Sequence, residues 1–495
     1  MKKWILLLLC SVPQFLVAQK QANVWYFGDK AGLDFSSGTP IPLSNGQIGY
    51  GNGINHMEGT AVISDSSGKM LFYTEGMHVW NKNHVQMPNG SGLLGNYSST
   101  QSSTIVPDPT DPNRYFYLFT VSSGFCCNGN ITDGLRYSKI DMCLEEELGD
   151  VLPTEKNVKL VDTVTEKIAV TQHANGIDYW IVTHKFYSNQ FWALRLTATG
   201  ITDTVISAIG SLHTGAISRT QGQLKFSNTG NKIIIGGSNG MDVLDVFDFD
   251  KTSGMLSNAK SIKKINNDHV SVFGVEFSAD DSKLYVNGLT SLGLMYASFV
   301  QYDLSAGGGN IDSINASVYV IYKDTVGLMA PCGLQIGPDQ KIYHVSINDQ
   351  TKLSVVINPN AAGAACDYQD QAITLAAGTK GSYTLPSFIA GFDYNNALTQ
   401  CDIVEPNSLN DVEESVDFIC SPNPFSEKLT IHISPSLQIK TLRLINCVGV
   451  VVRNIPIGSD KIITIQRDQL PAGMYFISYI DSANMAHLQK VCIMD

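Results

Sequence analysis

The sequence Val275-Glu-Phe-Ser-Ala-Asp-Asp-Ser-Lys-Leu-Tyr-Val286 contains two short strand-like runs separated by a polar turn that ends in lysine. Apolar and polar residues alternate in both runs, which is the pattern of strands with one buried face. Two such runs joined by turn-forming residues predict a β-hairpin. The same pattern recurs at five other places, with turns near Gly68, Asn113, Gly176, Gly230 and Asp339.

The spacing of these six turns predicts the architecture. Neighbouring turns lie about 45 to 63 residues apart, which suits one four-stranded blade for each repeat. Residues 24–35 and 387–394 are also strand-like, and we expect them to complete one composite blade. The prediction is an all-β chain with a β-propeller, in which seven blades are favoured over six or eight. A flat sandwich is the structural alternative, and the lack of a long 3.6-residue period disfavours an α/β enzyme fold.

Composition and charge narrow the function classes. The chain has 495 residues, which is enough for more than one unit. Of these residues 43% are apolar, which is enough for a large core. Lys and Arg number 33 against 45 Asp and Glu, so the net charge is −12. A nucleic-acid partner is therefore not expected, because neutralising phosphates requires an excess of cationic side chains.

The N-terminus has the pattern of an export signal. Lys2 and Lys3 precede the apolar run Trp4–Leu9, and Ala18 offers a small residue at a cleavage position. We predict a signal peptide at residues 1–18. The apolar run is too short to cross a bilayer, and no later run reaches 18 apolar residues, so no transmembrane segment is predicted.

The C-terminal part reads as a separate module. We expect the propeller to occupy residues 19–398 and an acidic linker to occupy residues 399–418. Short predicted strands then fill a small Ig-like β-sandwich at residues 419–495. They are expected at 429–433, 441–446, 448–452, 462–465, 475–480 and 488–493.

Sequence motifs for catalysis or metal binding are weak throughout the chain, and no catalytic residue, cofactor or metal site is predicted. Ser238 lies in a Gly-x-Ser-x-Gly string, but strand-like sequence follows it where a nucleophile elbow requires a helix. Two groups of side chains have metal-ligand chemistry, and for both we favour an ordinary polar surface: His56, Glu58, His78 and His84, and Asp245, Asp248 and Asp250.

Aromatic and cysteine residues leave alternatives open. A carbohydrate site lined by tryptophan is one interpretation, and packing between blades is the favoured one, for Trp25, Trp80, Trp180 and Trp192. Export makes disulfides possible. Cys332 and Cys366 flank the last repeat and are the candidate pair, although sequence alone does not fix the connectivity.

The N-terminal part resembles a family of secreted proteins. The matching stretches are Phe27-Gly-Asp-Lys-Ala-Gly-Leu-Asp-Phe35, Gly59-Thr-Ala61 and Leu71-Phe-Tyr-Thr-Glu-Gly76. Together they resemble secreted β-propeller proteins of the Bacteroidetes, and the resemblance covers roughly residues 23 to 395. It implies a secreted or surface propeller. The family has no common chemistry, so it implies no catalytic residue.

The tail resembles the type A sorting domain of type IX secretion cargo. The resemblance depends on Ser421-Pro-Asn-Pro-Phe425 and on Leu470-Pro-Ala-Gly-Met-Tyr475. It implies the type IX secretion machinery as a partner and a location outside the cell or on its outer surface, reached through the periplasm. The motif residues it assigns are Pro422, Asn423, Pro424, Phe425, Leu470, Ala472, Gly473 and Tyr475.

The function predicted from the whole sequence is recognition. A propeller presents loops around a central channel, and we expect it to bind a glycan or a surface protein. The alternative is an extracellular hydrolase or lyase with its site at the channel mouth. The fold alone does not decide between these two classes.

Overall fold

A computed structural model of the chain describes most of its residues. The described ranges are 20–49, 58–124, 129–238, 241, 243–262, 269–291, 295–323, 332–346, 349–394, 418–435, 437–446, 451–458, 461–482 and 486–494. The chain divides into two compact units, Met1–Cys401 and Asp402–Asp495. The predicted signal peptide and nearly all of the predicted linker lie outside the described residues.

The first unit begins with three antiparallel sheets of three, three and five strands. Sheet 1 contains β1 (Val24–Phe27), β2 (Ala31–Asp34) and β3 (Ile41–Leu43). Sheet 2 contains β4 (Ala61–Ser64), β5 (Met70–Thr74) and β6 (Val79–Asn81). Sheet 3 contains β7 (Ser103–Pro107), β8 (Tyr115–Val121), β9 (Leu135–Asp141), β10 (Asp150–Val151) and β11 (Val158–Val161), and the last two strands both pair with β9.

Four four-stranded sheets follow. Sheet 4 contains β12 (Val164–Gln172), β13 (Tyr179–Lys185), β14 (Ser188–Thr197) and β15 (Gly200–His213). Sheet 5 contains β16 (Leu224–Phe226), β17 (Lys232–Gly236), β18 (Leu244–Phe249) and β19 (Leu256–Ser261). Sheet 6 contains β20 (His269–Phe277), β21 (Lys283–Ser291), β22 (Met295–Asp303) and β23 (Tyr319–Lys323). Sheet 7 contains β24 (Gln335–Ile336), β25 (Ile342–Val345), β26 (Lys352–Val356) and β27 (Tyr368–Thr374), and a short helix α1 (Ile311–Ala316) precedes β23.

Each sheet packs against the next through buried apolar side chains. Val24 and Val62 share a cluster between sheets 1 and 2, and Ile234 and Val275 share one between sheets 5 and 6. The last sheet also packs against the first, since Trp25 lies in one cluster with residues of sheet 7. Up-and-down sheets packed in cyclic succession are the arrangement of a β-propeller. The propeller prediction is confirmed, while the seven-blade count stays a prediction because parts of the chain between sheets lie outside the described residues.

The segment that follows β27 runs from sheet 1 to the centre of the first unit. It starts beside sheet 1, where Lys380 forms β-bridges with the turn between β1 and β2. The Ser387 N–H then donates a hydrogen bond to the Thr60 carbonyl at 2.8 Å, and Ser387 forms a parallel bridge with Ala61. The predicted pairing of residues 24–35 with 387–394 into one ladder is therefore not formed. The contact between them is packing, with the Trp25 and Phe388 rings 5.8 Å apart.

The second unit is a pair of antiparallel sheets around one apolar core. Sheet 8 contains β28 (Phe418–Ser421), β29 (Lys428–Ile433) and β32 (Ile462–Gln466). Sheet 9 contains β30 (Ile439–Asn446), β31 (Val451–Asn454), β33 (Gly473–Asp481) and β34 (Ala486–Ile493), in the order β31-β30-β33-β34. Leu429 and Ile431 of sheet 8 meet Leu444 and Ile477 of sheet 9 in the core. In the ranges that the structure describes, no helix is long and apolar enough to cross a membrane.

Candidate functional site

The Pro-Asn-Pro-Phe motif lies along the last strand of the second unit. The Asn423 carboxamide donates a hydrogen bond to the Lys490 carbonyl at 2.9 Å and accepts one from the Cys492 N–H at 2.8 Å. The Phe425 N–H donates to the Cys492 carbonyl at 2.9 Å, and the Phe425 ring is buried in the core. Because β34 is an edge strand of sheet 9, the motif covers polar backbone groups that an edge would otherwise expose.

The prolines on either side of Asn423 suit this arrangement. Pro422 and Pro424 have no N–H group, so they add no unpaired donor to the edge. Both are preceded by cis peptide bonds. The side chain of Asn423 takes the place of a backbone strand, with one donor and one acceptor facing β34.

The second half of the motif is close to the same strand end. Tyr475 is buried in the core, and its hydroxyl donates to the Pro471 carbonyl at 3.0 Å. Leu470 packs against that core, whereas Ala472 and Gly473 are exposed at the start of β33. The structure thus places Leu470 and Tyr475 in the same core as Phe425.

Arg467 connects the two halves, and the sequence did not single it out. Its guanidinium donates to the Met494 carbonyl at 2.7 Å and to the Leu470 carbonyl at 3.1 Å. A third contact reaches the Ser426 carbonyl at 3.5 Å. One planar side chain with several donors therefore joins the start of the motif, its second half and the end of β34.

In the first unit, residues 387–392 fill the central channel. They line one cavity together with inner-strand residues that include Val170, Phe226 and Ile336. The remaining cavity has a volume of about 30 Å³. This volume holds only two or three water molecules, because each needs roughly 10–15 Å³ by this measure.

Gly391 lies close against the wall of the channel. It has φ +68°, and a Cβ built there would lie 2.5 Å from the Asn228 carbonyl oxygen. Only glycine fits that approach. Phe392 packs near the cluster between sheets 6 and 7, and Ala390 near the cluster between sheets 4 and 5. The segment therefore contacts inner strands on several sides of the channel.

A buried ion pair lies in the channel wall. Lys225 on β16 contacts Glu276 on β20 at 3.1 Å, and it also donates to the Gln335 side chain. Glu276 also accepts the Ile336 N–H at 3.1 Å. Burial raises the pKa of Glu276, while the Lys225 ammonium opposes that rise.

A second group of buried polar side chains surrounds Glu166 at the start of β12. One carboxylate oxygen accepts the Ser123 hydroxyl at 2.7 Å and the Thr220 hydroxyl at 3.0 Å. The other oxygen accepts the Thr100 N–H at 3.2 Å and the Thr100 hydroxyl at 3.3 Å. Glu166 has no exposed surface.

Glu58 and Lys167 belong to the same group. The Ser98 hydroxyl donates to one oxygen of Glu58 at 3.3 Å. Burial raises the pKa of Glu58 well above its ordinary value, and the nearby Glu166 carboxylate raises it further. Burial also raises the pKa of Glu166. Burial lowers the pKa of Lys167 to about 7, and its ammonium donates to the carbonyls of Thr220 and Gln221 at 2.5 and 2.6 Å.

Two buried histidines lie in sheet 4 near Lys167. The His184 and His213 rings have centroids 4.1 Å apart. Burial lowers the pKa of His184 to about 3, and the charge of Lys167 lowers it further. Burial likewise holds the pKa of His213 well below its ordinary value. Both imidazoles are therefore neutral at pH 7.

A cleft with a volume of about 350 Å³ lies on the outer part of sheets 5 and 6. Asp248 accepts the Lys232 ammonium at 2.7 Å and the Asn258 amide at 2.8 Å. Burial opposes ionisation of Asp248, but these two donors outweigh it and lower its pKa. Lys260 donates to the Gly309 carbonyl at 2.7 Å. Leu304 and Ile314 add apolar surface.

The side chains considered from sequence as ligands are scattered. His78 contacts Glu75 at 2.5 Å, while His84 contacts Asn45 and Tyr73. His56 lies outside the described residues. Asp245, Asp248 and Asp250 have separate hydrogen-bond partners, namely Ser261, Lys232 and Ser253 among others. Within the described ranges, no three His, Cys, Asp or Glu side chains form a metal-ligand group.

The remaining candidates have structural surroundings. Ser238 is buried, and its hydroxyl contacts the Ser271 hydroxyl at 3.0 Å. Trp25 and Trp180 are buried in the cores between sheets. Trp80 and Trp192 are partly buried against such cores, as the packing interpretation expected.

The predicted disulfide between Cys332 and Cys366 is not formed. Cys332 lies in the cluster between sheets 7 and 1, and Cys366 in the cluster between sheets 6 and 7. Cysteines on opposite sides of a sheet do not reach the short separation that a disulfide requires. Burial raises the pKa of the Cys332 thiol to about 12, so it is protonated. Cys143, which the sequence did not single out, is disulfide-bonded.

Comparison with known proteins places the tail in a family. Residues 421–494 match the secretion system C-terminal sorting domain. The tail is a type IX sorting domain. It directs export to the cell surface or the extracellular space. The match begins at the Pro-Asn-Pro-Phe segment and ends at Met494, so it spans both halves of the motif and Arg467.

Comparisons of the whole chain give only distant similarity. No curated protein matches it. Hydrazine synthase of Kuenenia stuttgartiensis is 9% identical with a TM-score of 0.39, over 70% of this chain and 98% of that chain. The periplasmic gluconolactonase of Pseudomonas aeruginosa is 12% identical with a TM-score of 0.36, over 84% and 94%. The Cps50 β-propeller domain of Myceliophteria thermophila is 10% identical with a TM-score of 0.31, over 79% and 97%.

Proposed function

We propose that this chain is a secreted binding protein, in which a propeller recognises a glycan and the tail directs export. The proposed organisation is a signal peptide at residues 1–18, a propeller at 19–398, a linker at 399–418 and a sorting domain at 419–495. The observation that supports recognition away from the channel is the channel segment 387–392. It leaves about 30 Å³ in the part of the channel that it lines.

The cleft on sheets 5 and 6 is the better candidate for the binding site. Its volume of about 350 Å³ lies within the range of small-ligand sites. Ammonium groups of Lys232 and Lys260 and the amide oxygen of Asn258 offer hydrogen bonds to hydroxyl groups. Leu304 and Ile314 offer an apolar surface. This mixture suits one or two sugar rings, which have polar edges and apolar faces.

A hydrolase or lyase at the channel mouth has less support. Such an enzyme needs titratable side chains that converge on an open pocket. The carboxylates of Glu58, Glu166 and Glu276 are almost completely buried. They are therefore not accessible to an extracellular substrate.

The binding proposal is tested by glycan-array screening of the purified full chain, followed by calorimetric titration of any hit. Lys260→Ala and Asn258→Ala should weaken binding at least tenfold, since each removes a polar group of the cleft. Lys352→Ala is the control, because Lys352, like Lys260, is a partly exposed strand lysine, but it lies on sheet 7 and does not line the cleft. Loss of binding in the control as well, or no loss in the cleft variants, would exclude this cleft.

The finer proposal for the tail is that the machinery recognises the folded end of β34, with Asn423 holding it in shape. Asn423→Ala removes both hydrogen bonds to β34, so export of the full chain from its native host should fall, with the protein retained in the periplasm. Asn407→Ala, in the proposed linker, is the control and should leave export unchanged. Normal secretion of the Asn423 variant would contradict a role for this end of the strand.

A further inference from the structure

Cys143 follows β9 in sheet 3, and its sulfur is part of a disulfide. The partner is not one of the described cysteines with free thiols, which are Cys332, Cys366, Cys420 and Cys492. Five cysteines of the sequence remain, and all lie outside the described residues: Cys10, Cys126, Cys127, Cys401 and Cys447. The surroundings of Cys143 distinguish between these candidates.

Cys143 lies at the end of sheet 3 where β7 turns into β8. Asp141, the last residue of β9, pairs with Tyr115, the first residue of β8. The Met142 N–H donates to the Arg114 carbonyl at 3.0 Å, and Arg114 belongs to the turn before β8. We call this end of the sheet the turn end.

Cys126 and Cys127 belong to the connection between β8 and β9, at the opposite end of sheet 3. The two ends are about 20 Å apart, because β8 runs from one to the other with roughly 3.3 Å per residue. A Cβ on Gly129 would lie 2.0 Å from the Ser123 carbonyl oxygen, so the connection closes on itself there. Both cysteines are within three residues, about 10 Å, of that contact. They cannot reach Cys143, since a disulfide requires Cα atoms within about 7 Å.

The channel segment 387–392 runs towards the turn end. Ser387 forms a parallel bridge with Ala61, so the segment has the direction of β4, which leads into the turn before β5. Further along, Gly391 lies against Asn228 in the turn between β16 and β17. The inner strands of a propeller run in one direction, so these turns and the turn before β8 lie at the same end. The chain therefore leaves the channel at the end where Cys143 lies.

Cys401 is within reach of Cys143 from that exit. Tyr394 is the last described residue before Cys401, and it shares one apolar cluster with Met142, the neighbour of Cys143. The seven residues from Tyr394 to Cys401 span up to about 23 Å. This length exceeds the two strand spacings, about 10 Å, by which β9 lies outside the inner strand β7. Cys401 also belongs to the same compact unit as Cys143.

We propose that Cys143 and Cys401 form a disulfide that fastens the end of the channel segment to sheet 3. Cys10 suits the bond less well because it belongs to the predicted signal peptide, and Cys447 because it belongs to the second unit. Two thiols lose two protons and two electrons when the bond forms, and a disulfide oxidant takes up the electrons and becomes two thiols. Such oxidants act outside the cytoplasm, on the proposed export route. The bond then holds the segment in the channel although residues 24–35 and 387–394 share no ladder.

Peptide mapping of the full chain without reductant tests the pairing. The exported chain is unfolded in urea, its free thiols are blocked with iodoacetamide, and it is digested with trypsin and a glutamate-specific protease. We expect a linked pair of peptides 140–145 and 381–413, each with a single cysteine, that separates on reduction. An alkylated Cys143, or a bond from Cys143 to any other cysteine, would overturn the assignment.

Serine variants test the pairing through stability. Cys143→Ser and Cys401→Ser should each lower the Tm of the first unit by roughly 5 °C, because each removes the same constraint on the unfolded chain. The double variant should lose no more than either single variant. Cys492→Ser is the matched control, since Cys492 is also partly exposed but has a free thiol, and its Tm should equal that of wild type. Additive losses in the double variant would contradict the bond.

Hydrogen exchange tests whether the bond holds the channel segment. Amide exchange at residues 387–392 should be about tenfold faster in Cys401→Ser than in wild type, because the segment then opens more often. An unchanged rate would overturn this role of the bond. If the variant does not fold, the folded wild-type chain is compared before and after reduction with dithiothreitol. None of these outcomes depends on whether the cleft on sheets 5 and 6 binds a glycan.

Discussion

Substitution of Gly391 by alanine tests whether the channel segment is packed as described. Gly391 has φ +68°, and a Cβ there would meet the Asn228 carbonyl oxygen at 2.5 Å. Gly378 is the matched control, because it has φ +81° and its Cβ would meet no atom within 4 Å. Both alanines must adopt a left-handed backbone, but only one of them also meets the channel wall.

The magnitude follows from these two geometries. Alanine with a left-handed backbone destabilises the folded state by about 1–2 kcal/mol. Alanine also reduces the conformational entropy of the unfolded chain, which offsets about 0.4–1 kcal/mol of that loss. Gly378→Ala should therefore destabilise by about 1 kcal/mol. Gly391→Ala also forces an overpacked contact, which typically costs a further 1–3 kcal/mol. The expected difference between the two variants is about 2 kcal/mol.

Urea unfolding of the full chain measures this difference. The five tryptophans are Trp4, Trp25, Trp80, Trp180 and Trp192, so fluorescence reports only on the first unit. A lower midpoint with an unchanged slope is the signature of lost stability. If both variants lost the same free energy, Gly391 would not be held against Asn228, and the filled channel would be wrong.

Three further predictions concern buried groups. Lys225→Met should cost about 3–5 kcal/mol in urea unfolding, because it leaves the Glu276 carboxylate buried without its cation, and Glu276→Gln should cost clearly less. Cys332 and Cys366 should both react with iodoacetamide after unfolding without reductant, as detected by mass spectrometry, and blocked thiols would contradict the structure. The pKa of His213 is depressed in the folded state, so below pH 6.5 the unfolded chain binds more protons than the folded chain. Between pH 6.5 and 5.5, wild type should therefore lose about 1 kcal/mol more stability than His213→Gln, and parallel pH profiles would refute this.

Local sequence was sufficient to predict those hairpins and strands whose structure depends on neighbouring residues. Hairpins were expected at six turns, and each joins two antiparallel strands, as β20 and β21 do around Asp281. In the tail, strands expected at 441–446 and 475–480 correspond to β30 (Ile439–Asn446) and β33 (Gly473–Asp481). Alternation of apolar residues specifies which face is buried, so it locates strands without knowledge of their distant partners.

Contacts between residues that are far apart in the sequence could not be predicted from local patterns. The residues 387–392 resemble another strand in sequence, yet their central position depends on inner strands that lie far away in the chain. The buried pair Glu58 and Glu166 is separated by more than one hundred residues, and single glutamates next to strands have no distinctive pattern. Arg467 was missed for the same reason, since its three acceptors belong to separate segments.

The position of the channel segment in the sequence bears on when the first unit can finish folding. Sheets 1 and 2 are made first, but Ala61 and Trp25 contact Ser387 and Phe388, which come more than three hundred residues later. Contacts of such separation form late, because the loop between them must first be closed. A chain synthesised from its N-terminus thus completes its core only when residues up to about 394 are present. The sorting domain lies C-terminal to them, so a chain that presents its complete tail to the export machinery has also supplied the segment that fills the channel.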